Sequence, residues 1–117
     1  MAVAILVSSD LMFISKVKEV ATAAQGQVKV ARSLGALEAA ISEASEPGAL
    51  IIDLEKGGVP REALSDVVQR LSSNGWRVVS FFSHVHEEVA EEASKLGLGE
   101  IMPRSRFVKV LPSLFGV

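Results

Sequence analysis

A chain of 117 residues with 12 Lys and Arg against 14 Asp and Glu has the length of one domain, 1–117, and a formal charge of −2. It contains no cysteine, which excludes a disulfide framework, a thiolate nucleophile and a Cys-ligated metal centre. With 49% apolar and 22% charged residues the composition is globular, and the near-neutral balance gives no bias toward nucleic acid or an anionic membrane.

The chain opens on an apolar run, Ala2–Val7, that predicts a first strand. The run has no basic n-region and stops at Ser8-Ser9-Asp10, too soon for a secretory signal. No apolar run elsewhere reaches the roughly 18 residues of a membrane span. The expectation is a cytoplasmic protein with no membrane partner. Asp10 is placed to cap a helix whose apolar face is Leu11, Ile14, Val17, Val20 and Ala21, at three-and-four spacing, and Gly26 is its stop. Val28–Ala31 predicts a second strand. Leu34, Leu37, Ala40, Ile41 and Ala44 predict a second helix, ended by Pro47-Gly48.

Ala49–Asp53 is a third apolar run. Pro60 suits the first turn of a helix carrying Leu64, Val67, Val68 and Leu71 on one face and closing at Asn74-Gly75. Trp76–Phe82 predicts a fourth strand, with Trp76 half-buried at its start. Val89, Ala90, Ala93 and Leu96 mark a fourth helix stopped at Gly97. A short strand follows at Glu100–Met102, then a last helix on Phe107, Val108, Leu111, Leu114 and Phe115, in which Pro112 removes one N–H.

Most of these strands lack strict polar alternation, as strands covered on both faces do. Five strands alternating with five helices in so short a chain imply βαβ units with right-handed crossovers. The fold class expected is α/β, a flavodoxin-like doubly wound five-stranded parallel sheet of order 2-1-3-4-5 with helices on both faces. In such a sheet function gathers outside the carboxyl ends of the strands. That topology collects Ser8, Ser9, Asp10, Asp53, Ser83, His84 and Arg104 there, a pocket of carboxylates, hydroxyls and a guanidinium.

Leu50-Ile51-Ile52-Asp53-Leu54, Val78-Val79-Ser80-Phe81-Phe82-Ser83 and the segment from Gly97 to Pro103-Arg104-Ser105 together resemble a bacterial response-regulator receiver domain, over essentially the whole length. The resemblance implies that Asp53 stands at the position that accepts a phosphoryl group from a histidine kinase. It implies that Ser83 matches the hydroxyl that bonds the phosphoryl oxygens, and that Arg104 falls where the family has lysine, with Ser105 in place of the following proline. The family's acidic pair at the end of the first strand holds Mg²⁺; here that pair is Ser8-Ser9, and Asp10 matches only the position after it. Mg²⁺ requires carboxylate oxygen, and phosphoryl transfer requires its charge. The resemblance is therefore to a degenerate receiver, or pseudo-receiver.

The preferred reading is a stand-alone, non-catalytic signalling domain without an output domain or cofactor, acting through protein contact. Its expected surface is Glu87, Glu88, Glu91, Arg106, Phe107 and Lys109, and its partner a histidine kinase, another signalling protein or a second copy of the chain. A solvated acidic face is the plain alternative for the glutamates. The second reading is a working phosphoreceiver with phosphate on Asp53. The third is a small enzyme with Asp53 or His84 as base, for which no nucleophile, base and orienting group stand together in the sequence. His84 and His86 lack a third ligand at a recognisable spacing, so no metal site is expected. Arg104 either pairs with Asp53 or lies solvated.

Overall fold

The computed structural model describes residues 2–83 and 87–116. In chain order the elements are β1 (Val3–Val7), α1 (Leu11–Ala23), β2 (Gln27–Ala31), α2 (Leu34–Glu43), β3 (Ala49–Asp53), α3 (Arg61–Ser73), β4 (Arg77–Phe82), α4 (Glu87–Leu96), β5 (Glu100–Pro103) and α5 (Arg104–Val110), with a 3-10 turn over Leu111–Phe115. All strand pairs are parallel and the order is β2-β1-β3-β4-β5, the doubly wound topology expected. In register, Val7 lies opposite both Ala31 and Ile52, Asp53 opposite Phe81, and Phe82 opposite Pro103.

The alternation of side chains along each strand divides the interior into two cores. Ile5, Val7, Leu50 and Ile52 face one side of the sheet, where they pack against Leu37 of α2, Leu64, Val67, Val68 and Leu71 of α3, and Ala93 of α4. Ala4, Leu6, Ile51, Val79 and Phe81 face the other, against Phe13, Ile14, Val17 and Ala21 of α1 and Phe107, Leu111, Leu114 and Phe115 of the C-terminal segment. β3 is buried along its whole length, which is why its sequence shows a continuous apolar run and no alternation. Trp76 is half-buried against the α3 side, one residue before β4 begins.

Several local expectations are corrected. Leu11 and Leu34 are 69% and 40% exposed instead of facing the core. Each is the first residue of its helix, next to the capping Asp10 or Ser33, beyond the reach of the sheet. The stop of α1 is also shared differently. Gln25 takes the left-handed conformation (φ 60°), while the Gly26 N–H bonds back to the Ala21 carbonyl at 2.7 Å. Gly26 is demanded by space: a Cβ there would stand 2.5 Å from a ring carbon of Phe115. The last helix does not run through Pro112. It changes at Leu111 from α to 3-10 winding, because a proline can donate no N–H and its ring crowds the carbonyl four residues earlier.

Candidate functional site

At the carboxyl edge of the sheet the tip of β1 meets the loop after β3. Ser8, fully buried, donates its hydroxyl to Asp53 Oδ2 at 2.9 Å and accepts the Asp10 N–H at 3.1 Å. The other oxygen of Asp53, Oδ1, accepts the N–H groups of Glu55 at 3.1 Å and Lys56 at 2.9 Å, an Asx-type turn closed by the side chain. Asp53, only 4% exposed, therefore keeps a buried carboxylate satisfied by three donors. Ser9 is exposed. Both its N–H and its hydroxyl donate to the Lys56 carbonyl, at 2.7 and 2.9 Å. Gly57 completes the turn, since a Cβ there would meet the Asp53 carbonyl oxygen at 2.7 Å.

Asp10 has two tasks. One oxygen caps α1 by accepting the Phe13 N–H at 3.2 Å; the other accepts Arg104 Nη2 at 3.2 Å and lies 3.8 Å from Lys56 Nζ. The Phe13 N–H, with Arg104 and Lys56 adding to it and partial burial opposing, holds the Asp10 carboxyl below its ordinary value. Arg104 lies across an aromatic cluster. Its guanidinium carbon is 4.6 Å from the centroid of Phe13 and 5.6 Å from that of Phe81. The Phe81 ring in turn stacks on Phe107 at 4.8 Å, and Phe13 lies 4.5 Å from Phe81. From the β4 side the Ser83 N–H donates to the Glu55 carboxylate.

These groups enclose a pocket of about 160 Å³ lined by Asp10, Asp53, Glu55, Lys56, Phe81, Ser83 and Arg104. Of the residues expected there, Asp10, Asp53, Ser83 and Arg104 line it. Ser8 lies beneath Asp53, and Ser9 is turned to the β3 loop. The Arg104 guanidinium pairs with Asp10, whose free oxygen points toward it, and the Asp53 oxygens are taken by other donors. Glu55 and Lys56, at the same strand end as Asp53 but not among the residues expected in the pocket, line it as well. The signal for them was the Asp53 to Gly58 turn itself, which folds the two residues after Asp53-Leu54 back over the carboxylate. The stacking of Arg104 on Phe13 and Phe81 had no signal in the one-dimensional pattern.

Glu87, Glu88 and Glu91 on α4 and Arg106 and Lys109 on α5 are exposed. Phe107 is not part of that surface: it is fully buried, held by the ring cluster, and belongs to the core on the α1 side. Glu92 is tied to Arg61 of α3 at 3.1 Å. Next to the pocket the first turn of α1 leaves Leu11 and Met12 in solvent, Met12 at 86% exposure. His84 and His86 lie outside the described residues. Among the described residues no three His, Cys, Asp or Glu side chains converge in a way that could hold a metal ion, and no helix is long and apolar enough to cross a membrane.

No protein-family profile matches the sequence, and no curated protein matches it. Solved structures do match in fold. A response regulator receiver protein from Burkholderia phymatum superposes with a TM-score of 0.70 at 15% identity, covering 100% of this chain and 97% of that one. The beryllofluoride-activated NtrC4 receiver domain dimer matches at 0.72 and 18% identity, over 99% of this chain and 98% of that one. The phosphorylated cyanobacterial phytochrome response regulator RcpA matches at 0.73 and 16% identity, over 97% and 90%. The architecture is the flavodoxin-like fold of receiver domains.

Proposed function

We propose that this chain is a receiver-type signal-transduction domain that works by protein–protein contact and is not switched by Mg²⁺-dependent phosphorylation. One observation carries the reading: the Ser8 hydroxyl, from a position where a receiver would offer an acid, is hydrogen-bonded to Asp53. An attacking carboxylate needs an oxygen whose lone pair is free to meet phosphorus. Here Oδ1 takes two backbone N–H groups and Oδ2 takes Ser8. Oδ2 keeps one lone pair toward the pocket, but turning it to phosphorus would strain the buried Ser8 hydrogen bond, of a class worth about 1.5–3 kcal/mol. Two neutral serines at the β1 tip supply no negative oxygen to hold a cation that would offset that cost or the charge developing on the phosphoryl group. The contact surface then consists of the exposed charges of α4 and α5: Glu87, Glu88, Glu91, Arg106 and Lys109. Its partner is a signalling protein of the kinase–regulator type or a second copy, as in the NtrC4 receiver dimer.

A second reading has its own support. RcpA is a phosphorylated regulator of the same fold, and the pocket beside Asp53 offers Ser83 and Arg104 to hold phosphoryl oxygens. Incubation with Mg²⁺ and a small phosphodonor, followed by intact-protein mass measurement, separates the two. The expected spectrum is unmodified protein. A stoichiometric phosphoryl adduct that disappears in Asp53→Asn would replace the contact reading with the phosphoreceiver one.

A further inference from the structure

A hard divalent cation is held by negative oxygens in near-octahedral array. The donors at the β1 tip do not fit one. The hydroxyls of Ser8 and Ser9 are committed as donors to Asp53 and to the Lys56 carbonyl, and the accessible carboxylate, Asp10, already faces two cations. We infer that Arg104 is the pocket's own tethered cation: its guanidinium, bonded to Asp10 and lying over Phe13 and Phe81, balances the strand-end carboxylates from within and excludes a divalent ion.

Three features of the geometry support this, and the inference rests on the contact reading above. A guanidinium is permanently charged at any working pH, so the balance does not lapse. Its flat apolar faces let it lie on the two rings while its edge reaches the Asp10 oxygen, which a compact ammonium could not do. Arg104 is also the first residue of α5, so the same contact ties the start of that helix to the cap of α1. Arg104 is thus a positioning residue: it sets where Arg106 and Lys109 stand on the partner surface without any bound ion.

Titration with Mn²⁺, read as paramagnetic broadening of assigned amide signals, tests this directly. In the native protein the amides of residues 8–11 and 53–56 should stay sharp at Mn²⁺ levels that broaden the neutral variants. Arg104→Met keeps a stem over the rings but removes the charge. It should be broadened there at about ten-fold lower Mn²⁺, the factor expected when a single charge a few ångströms from a double one is removed under near-water screening. In metal-free solution the same variant should shift the amides of residues 105–110. Arg104→Gln serves as a second neutral variant. An equal response of native and neutral variants, both broadened or both sharp, would overturn the inference, as would unmoved α5 amides. The phosphodonor assay on native protein is independent: an adduct on Asp53 would defeat the contact reading while leaving the Mn²⁺ result to stand or fall alone.

Discussion

Replacing Ser8 with alanine removes one oxygen and two interactions. The first is a hydrogen bond to a buried carboxylate, of a class worth about 1.5–3 kcal/mol; the second is the Asp10 N–H bond to the same oxygen, a neutral contact worth about 0.5–1.5 kcal/mol. Water can reach the half-buried Asp10 N–H, so most of the second is recovered. The first is not recovered, because Asp53 is 4% exposed and its second oxygen is already fully used. The expected loss is about 2 kcal/mol. At about 2.1 cal/mol/K of unfolding entropy per residue, that lowers the melting midpoint by about 8 °C. Urea unfolding followed by the fluorescence of Trp76, which is half-buried against the α3-side core, measures it. Ser9→Ala, which removes only an exposed hydroxyl contact, is the control and should cost under about 1 kcal/mol. A cycle with Asp53→Ala should show a coupling of about 1 kcal/mol or more, because without the carboxylate the hydroxyl has lost its acceptor. A Ser8→Ala protein within about 0.5 kcal/mol of native, or a strictly additive cycle, would refute the account of this site.

Further outcomes follow from the same geometry. Asp10 has a carboxyl held below its ordinary value in the folded chain, so its contribution is fully present above the unfolded value of about 3.9 and is lost as pH falls through the lower folded value. Asp10→Asn should flatten that acid limb in pH-dependent melts, while Asp10→Ala also removes the α1 cap at a cost of about 1 kcal/mol. Phe107→Ala should cost about 3–5 kcal/mol by chemical denaturation, since the ring is fully buried between Phe81 and Phe13. Arg106→Ala and Lys109→Ala should stay within about 0.5 kcal/mol of native, and together with Phe107→Ala they separate core from surface on α5. Gly26→Ala, pushing a methyl against Phe115, should cost about 1–3 kcal/mol in thermal melts.

The sheet was readable in one dimension because burial on both faces writes itself as unbroken apolar runs. Ile51-Ile52 and Val78-Val79 leave little else to be. The helices were readable by spacing, apart from their first residues, where periodicity continues but the sheet beneath has ended, as at Leu11. The gathering of Asp10, Asp53, Ser83 and Arg104 followed from topology alone, since parallel strands deliver all their carboxyl ends to one edge. What topology does not determine is which oxygen each donor chooses. Arg104 reaches Asp10 because the two rings beneath it set the plane of the guanidinium, and those rings come from α1 and β4, distant in sequence. Phe107 was misplaced for a related reason. Between the charged Arg106 and Lys109 it looks like a surface residue, yet a helix turns by about 100° per residue, so immediate neighbours face different ways.

The Ser8–Asp53 contact also constrains how this domain can be re-engineered. An acidic residue introduced at position 8 would press a second negative charge against a carboxylate that is already buried. Such an exchange is tolerated only if a cation is supplied to the same corner, so the buried hydroxyl is the neutral solution to a crowded carboxylate edge.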